Sequence, residues 1–266
     1  MNAFQELMAH AATRPPVGTW LMSASPIVCE AMGCAGFDWG VVDMEHTPLD
    51  MMEVVHMLQA LAATPMKPVV RVPWNDRVTI KRVLDAGAAT LLVPFVQDAE
   101  EARAAVAATR YPPEGCRGVA GMSRASRFGT AQGYVATANR SIGVIVQLET
   151  AEAIGKLDEI AKVEGVDALF IGPGDLSATM GLPGQLTHPR VLALTADAVR
   201  RAKALGKPIG TVGGTPEVVR EYLAMGFDFV AIASDLGLLM RSAQSALSAV
   251  RGPGTSETPQ TSQGAY

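Results

Sequence analysis

The chain has 266 residues, 48% of them hydrophobic, which is ample for a large buried core in one domain or two. A formal charge of −4 at pH 7 excludes a general attraction for nucleic acid or for an anionic membrane surface. Cys29, Cys34 and Cys116 are odd in number and form no C-x-x-C pair, so neither a disulfide framework nor a zinc site is expected. Reduced thiols in the cytoplasm and a small-molecule ligand are the simplest expectation. Met1–Glu6 carries an acid and no basic stretch ahead of an apolar core, unlike a secretory leader. The longest apolar run, Ala86 to Val96, is too short to span a bilayer and is interrupted by Pro94, so no membrane association is expected.

In chain order, short apolar runs alternate with helical patterns. A first strand is predicted at Thr19–Met22, after which Ser25-Pro26 opens a helix that Gly36 closes. The second strand, Trp39–Asp43, precedes a helix opened by Thr47-Pro48, with Val54, Leu58 and Leu61 at helical spacing. Pro68–Arg71 with Val78–Ala86, and Thr90–Val93 with Asp98–Arg110, form the third and fourth pairs. Tyr111 to Arg140 is a long excursion, rich in Gly and Arg, with a short helix near Ala131–Asn139; connections of this length are usually functional or interfacial. Ile142–Gln147 with Thr150–Ala161, and Ala168–Ile171 with Pro189–Leu205, come next. Pro208–Thr211 with Thr215–Met225, and Phe229–Ala233 with Asp235–Val250, complete the series.

Continuous apolar runs, rather than alternating ones, mark strands covered on both faces, as in a parallel sheet. Eight such repeats with right-handed crossovers predict an α/β protein, a closed (β/α)₈ TIM barrel forming one domain over residues 1–251. A doubly wound open sheet is the alternative. Gly252–Tyr266 is Gly, Pro, Ser, Thr and Gln with a single charge, Glu257, and reads as a disordered tail.

A barrel keeps its chemistry at the C-terminal ends of its strands, and the candidate residues fall there. Glu149 follows the fifth strand and Asp175 opens a loop after the sixth. Neighbouring strands lie about 4.8 Å apart, so these two acids can share one hard divalent cation, Mg²⁺, Mn²⁺ or Co²⁺. Their structural alternative is capping of the helix at Thr150 and termination of a loop. Gly172-Pro173-Gly174-Asp175 lets backbone approach a ligand closely and offers N–H groups to a substrate carboxylate. His46, after the second strand, is the candidate general base, with Asp85 available to orient it. His10, His56 and His188 lie in helical or loop contexts. Arg71, ending an apolar strand, can stabilise charge on a keto oxygen or pair with Asp43 or Glu45. Asp43 and Glu45 could accept hydrogen bonds from waters on the metal.

Together these residues resemble the HpcH/HpaI aldolase family of class II pyruvate aldolases, over about Val17 to Val250. The family's D-x-E-H motif matches Asp43–His46, V-V-R matches Val69–Arg71, and N-D matches Asn75-Asp76. R-Y-P-P-x-G-x-R-G matches Arg110–Gly118, R-A-S-R matches Arg124–Arg127, Q-x-E-T matches Gln147–Thr150, and G-P-x-D-L-S matches Gly172–Ser177. The resemblance implies a phosphoenolpyruvate/pyruvate-type barrel with Glu149 and Asp175 as metal ligands. It implies a pyruvate site lined by Gln147, Gly172, Pro173, Gly174 and Asp175. Arg71 would sit on the keto oxygen, and His46, oriented by Asp85, would manage protons. It also implies hexamers, trimers of dimers, with neighbouring subunits bordering the site. Met44 stands where relatives commonly carry glycine and Gly174 where some carry alanine. Val212-Gly213-Gly214 occupies the region that shapes the aldehyde pocket, which makes Val212 a candidate substrate contact.

The expected reaction is reversible cleavage of a 4-hydroxy-2-oxo acid to pyruvate and an aldehyde through a pyruvate enolate. One alternative keeps the barrel and metal but cleaves acyl-CoA thioesters of the malyl-CoA type. Against it, basic residues near the mouth segments occur only around Arg117, Arg124 and Arg127. A second alternative is a non-catalytic barrel that binds a metal–oxyacid complex.

Overall fold

The computed structural model describes residues 1–9 and 14–251. Eight strands close into one barrel: β1 (Val17–Leu21), β2 (Trp39–Asp43), β3 (Lys67–Arg71), β4 (Thr90–Val93), β5 (Gly143–Leu148), β6 (Ala168–Ile171), β7 (Ile209–Gly213) and β8 (Phe229–Ser234). Each pairs in parallel with its neighbour in sequence, and β8 pairs with β1. The helices are α1 (Ala3–Ala9), α2 (Pro26–Cys34), α3 (Met51–Leu61), α4 (Arg77–Asp85), α5 (Ala99–Thr109) and α6 (Tyr134–Ser141). They continue as α7 (Ala151–Gly155), α8 (Leu157–Ala161), α9 (Pro173–Thr179), α10 (Pro189–Ala204), α11 (Pro216–Met225) and α12 (Asp235–Arg251). No helix among the described residues is long and apolar enough to cross a membrane. The tail expected over 252–266, and His10, lie outside the described residues.

The closed barrel is the fold expected from the alternation of elements, and local chemistry moves several boundaries. Helix α3 starts after Asp50 rather than at Thr47-Pro48, because the Asp50 N–H donates to the Glu53 carboxylate at 3.0 Å and closes the first turn there. The stretch expected as one helix over Thr150–Ala161 is two, broken at Lys156. The excursion's helix runs Tyr134–Ser141 rather than Ala131–Asn139, entered through Gly133 in the left-handed conformation, φ 72°. Gly172-Pro173-Gly174-Asp175 is not a loop: Gly172 caps α9, and Pro173 occupies its first turn, where a missing N–H costs nothing.

Side chains pointing into the barrel form a separate apolar cluster dominated by Trp20, Trp39, Phe170 and Phe229. The Trp39 and Phe229 rings fit because glycines face them. A methyl group on Gly18 would lie 2.4 Å from the Trp39 ring, and one on Gly210 would lie 2.3 Å from the Phe229 ring. Helix α1, which has no counterpart among the expected elements, closes the N-terminal end of the barrel. Its Phe4 ring meets Phe229 edge-on at 5.3 Å, and Leu7 joins the same cluster. Asn2 caps it, with Oδ1 accepting from the Gln5 N–H at 2.9 Å. A second, larger cluster fills the space between strands and helices. Helix α1 thus plugs the barrel from below, at the end opposite the C-terminal strand ends.

Gly210→Ala is expected to destabilise the protein by about 1–3 kcal/mol through overpacking, a shift of about 2–5 °C in thermal midpoint for a chain of this size. Adding Phe229→Leu should restore part of that loss. If the two substitutions are simply additive in a thermal-unfolding cycle, the glycine is not making room for the ring.

Candidate active site

Period-two alternation along each strand sorts inward residues into layers. Trp39, Val41 and Asp43 point inward on β2, Val69 and Arg71 on β3, Ile145 and Gln147 on β5, Phe170 on β6. The apolar members fill the lower layers and the polar ones emerge together at the top.

Arg71 is fully buried. Its Nε and Nη2 donate to the two oxygens of Asp43 at 2.9 and 2.7 Å, a two-pronged, charge-assisted contact. Nη1 pairs with Glu45 at 2.9 Å, and the guanidinium lies 5.4 Å from the centre of a Trp20 ring. Asp43 also accepts from the backbone N–H groups of Glu45 and His46, at 3.0 and 3.4 Å. Both pairings considered for Arg71 therefore hold at once. Burial pushes the Glu45 carboxyl above its usual range despite Arg71 beside it. The His46 side chain is 49% exposed, with Nε2 at 3.9 Å from Glu45.

Glu149, also fully buried, follows β5. Its Oε1 accepts from Gln147 Nε2 at 2.7 Å and its Oε2 from the Phe95 N–H at 3.0 Å. Burial, reinforced by Glu45 and Asp175, raises its carboxyl to about 8. Gly172 makes room for it, since a methyl group there would lie 2.5 Å from Glu149 Oε1. The Thr179 hydroxyl donates to the Glu149 carbonyl at 3.1 Å and so fastens α9 to the end of β5. Asp175 and Gly174 lie half-buried in the first turn of α9, and Pro173 is buried.

Two expectations meet a different placement. Helix α4 leaves the catalytic face after β3 and runs nine residues, about 13 Å, toward the opposite end of the barrel. Asp85, its last residue, pairs there with Arg117 at 2.7 Å rather than with His46 of the same chain. Val212 is fully buried in the interior cluster, part of the packing beneath the mouth rather than of its surface. Phe95, by contrast, has no counterpart among the sequence candidates. Its part is played by a backbone N–H, which no residue type announces.

The donors suit a hard divalent cation. Glu149 and Asp175 offer carboxylate oxygens, and Gln147 Oε1 is a buried oxygen with no hydrogen-bond partner beside them. Among the described residues, no three His, Cys, Asp or Glu side chains cluster as a metal site. Glu149, held protonated by burial and then by the like charges of Glu45 and Asp175, is the group that a cation would relieve.

The family model described as HpcH/HpaI aldolase/citrate lyase matches residues 17–242. The 2-dehydro-3,6-dideoxy-6-sulfogluconate aldolase of Pseudomonas putida is 54% identical over 237 residues, 89% of this chain and 93% of that protein. The 4-hydroxy-2-oxo-heptane-1,7-dioate aldolase of Klebsiella pneumoniae is 47% identical over 244 residues, 91% of each chain. Among solved structures, an HpcH/HpaI aldolase/citrate lyase family protein from Burkholderia cenocepacia superposes with a TM-score of 0.91 at 39% identity, covering 95% of this chain and 100% of that one.

Glu149 generates a prediction for the metal-free protein. Its carboxyl titrates near 4.5 when unfolded and near 8 when folded, so between those values the folded state keeps a proton that the unfolded state has lost. Stability should therefore fall as pH rises from about 4.5 to about 8. Denaturant unfolding of Glu149→Gln across that window is expected to show a shallower fall; identical slopes would mean that Glu149 is ionised in the folded protein.

Proposed function

The chain belongs to the HpcH/HpaI aldolase/citrate lyase family, and from that premise we propose that it cleaves 4-hydroxy-2-oxo acids reversibly to pyruvate and an aldehyde. It is an aldolase, a carbon–carbon lyase. The observation that carries the substrate reading is Arg71: a permanently charged guanidinium, without exposed surface, at the mouth of the barrel among acids.

Cleavage of the C3–C4 bond requires that the 4-hydroxyl lose its proton while the bonding pair moves toward C2 and its oxygen. His46, half-exposed at the rim, is the group that takes that proton, and Arg71 faces the developing oxygen charge. Proton delivery to C3 then completes pyruvate. Glu149 and Asp175 would hold a divalent cation, Mg²⁺, Mn²⁺ or Co²⁺, which when bound supplies a further positive charge to the carboxylate and keto oxygens. Gln147 and Gly172 hold Glu149 in place, and the N–H groups of Gly174 and Asp175 in the first turn of α9 suit the substrate carboxylate.

We propose in addition that the chain assembles as a homo-oligomer, the hexamer of its family. Supporting it, α12 carries Leu239, Met240, Leu247 and Val250 exposed on its surface, and the excursion exposes Met122 and Phe128. An orienting role for Asp85 then belongs to the His46 of a neighbouring subunit. The cytoplasm suits three unpaired thiols.

Two measurements test this function. Exchange of pyruvate methyl protons in deuterated water should require added Mg²⁺, Mn²⁺ or Co²⁺ and disappear in Asp175→Asn; exchange without any cation, or none with one, refutes the proposal. Arg71→Ala should lower kcat by about 10²- to 10³-fold. Because that change also strands Asp43, Arg71→Lys serves as the fold-preserving variant and should give a smaller loss, its charge kept but its fork lost. Near-wild-type turnover in Arg71→Lys with a lost fold in Arg71→Ala would make the residue structural only.

A further inference from the structure

Phe95 places a bulky side chain in the left-handed backbone region, φ 52°, where glycine or asparagine is the usual occupant. It lies between β4 and α5 at the catalytic end of the barrel, and the residues around it are docked on the end of β5. The Phe95 N–H donates to Glu149 Oε2 at 3.0 Å, and the Val96 N–H donates to the Gln147 carbonyl at 3.1 Å. The Gln97 amide donates to the Phe95 carbonyl at 3.3 Å, and its oxygen accepts from the Thr150 hydroxyl at 2.7 Å. On its outer side the Phe95 ring stacks on Trp74, with centroids 6.0 Å apart and planes 26° apart. Trp74 sits three residues beyond Arg71, and 57% of it is exposed. Its neighbour Asn75 is tied to α5, donating to the Glu101 carbonyl at 3.0 Å.

A mostly exposed tryptophan contributes little to a core, and a strained backbone persists only where its surroundings hold it. Here the two features are joined. We propose that Trp74 and Phe95 form a latch that positions Glu149: the ring stack keeps residue 95 in its left-handed conformation, which aims its N–H at Glu149 Oε2. Without the stack, residue 95 relaxes to negative φ and its N–H turns away. Glu149 then keeps only the Gln147 contact and its carboxylate is no longer fixed in one rotation. Trp74 and Phe95 are positioning residues, acting on a cation through the carboxylate that would hold it. This inference rests on the reading of Glu149 as a metal ligand.

The test is titration of the full chain with Mn²⁺, followed by the electron paramagnetic resonance signal of the free ion. Trp74→Ala and Phe95→Ala are expected to weaken Mn²⁺ binding about 10-fold, with thermal midpoints of the metal-free proteins unchanged. Trp74→Phe, which keeps a stacking ring, should bind as wild type does. Phe95→Gly, free to adopt positive φ without strain, should bind more tightly than Phe95→Ala. In Trp74→Ala, kcat should recover toward wild type at saturating Mn²⁺. Wild-type affinity in Trp74→Ala, or equal losses in Phe95→Gly and Phe95→Ala, overturns the latch. Glu149→Gln separates the two levels. If Mn²⁺ affinity survives that change, the metal-ligand reading itself fails; if it needs Glu149 but ignores Trp74, only the latch fails.

Discussion

A guanidinium with no solvent contact organises the mouth of this barrel. A buried charge is tolerated only when it is paired and hydrogen-bonded, and Arg71 takes both oxygens of Asp43 and one of Glu45. The same Asp43 carboxylate accepts the backbone N–H groups of Glu45 and His46. The charge balance of Arg71 and the path of the chain carrying His46 are therefore one arrangement, not two. Their energies are coupled, so single substitutions in this group report on the whole of it rather than on one contact.

That arrangement depends on register below it. Asp43 stands opposite Arg71 in the β2–β3 ladder, two residues above Val41 and Val69, which in turn stand above the Trp39 layer. Because side chains alternate, a slip of one residue in either strand would drive a charge into the outer apolar shell. The aromatic plug of Trp20, Trp39, Phe170 and Phe229 makes such a slip costly, since the Trp39 and Phe229 rings fit against Gly18 and Gly210. The apolar floor thus holds the polar rim in place.

The strands were legible because each is a short apolar run bounded by polar or turn-forming residues. Trp39–Asp43, Thr90–Val93 and Ala168–Ile171 coincide with β2, β4 and β6 to the residue. The strand-end location of Arg71, Glu149 and Asp175 followed from the same pattern. What escaped were features set by three-dimensional neighbours. Helix α1 has seven residues, too few to display a helical period, and is held by Phe4 and Leu7 against a plug assembled from distant strands. Asp85 meets Arg117 rather than His46 of its own chain, because a helix descending from the catalytic face carries its last residue away from it. Phe95 escaped because its contribution is a backbone direction, and a phenylalanine gives no hint of positive φ.

The rim carries more negative than positive charge. Asp43 and Glu45 pair with the one Arg71 guanidinium, and burial, reinforced by Glu45 and Asp175, holds a proton on Glu149 up to about 8. A carboxylate in that position has three ways to lower its energy: turn toward water, keep the proton, or meet a cation. The first is blocked, since Gln147 and the Phe95 N–H grip its two oxygens and Gly172 leaves just enough room for it. The remaining two compete for the same oxygens, so a cation that enters must release the proton. Restraint of Glu149 therefore keeps the surrounding negative potential from being relieved by side-chain motion, and a divalent ion would enter a site already shaped to need it.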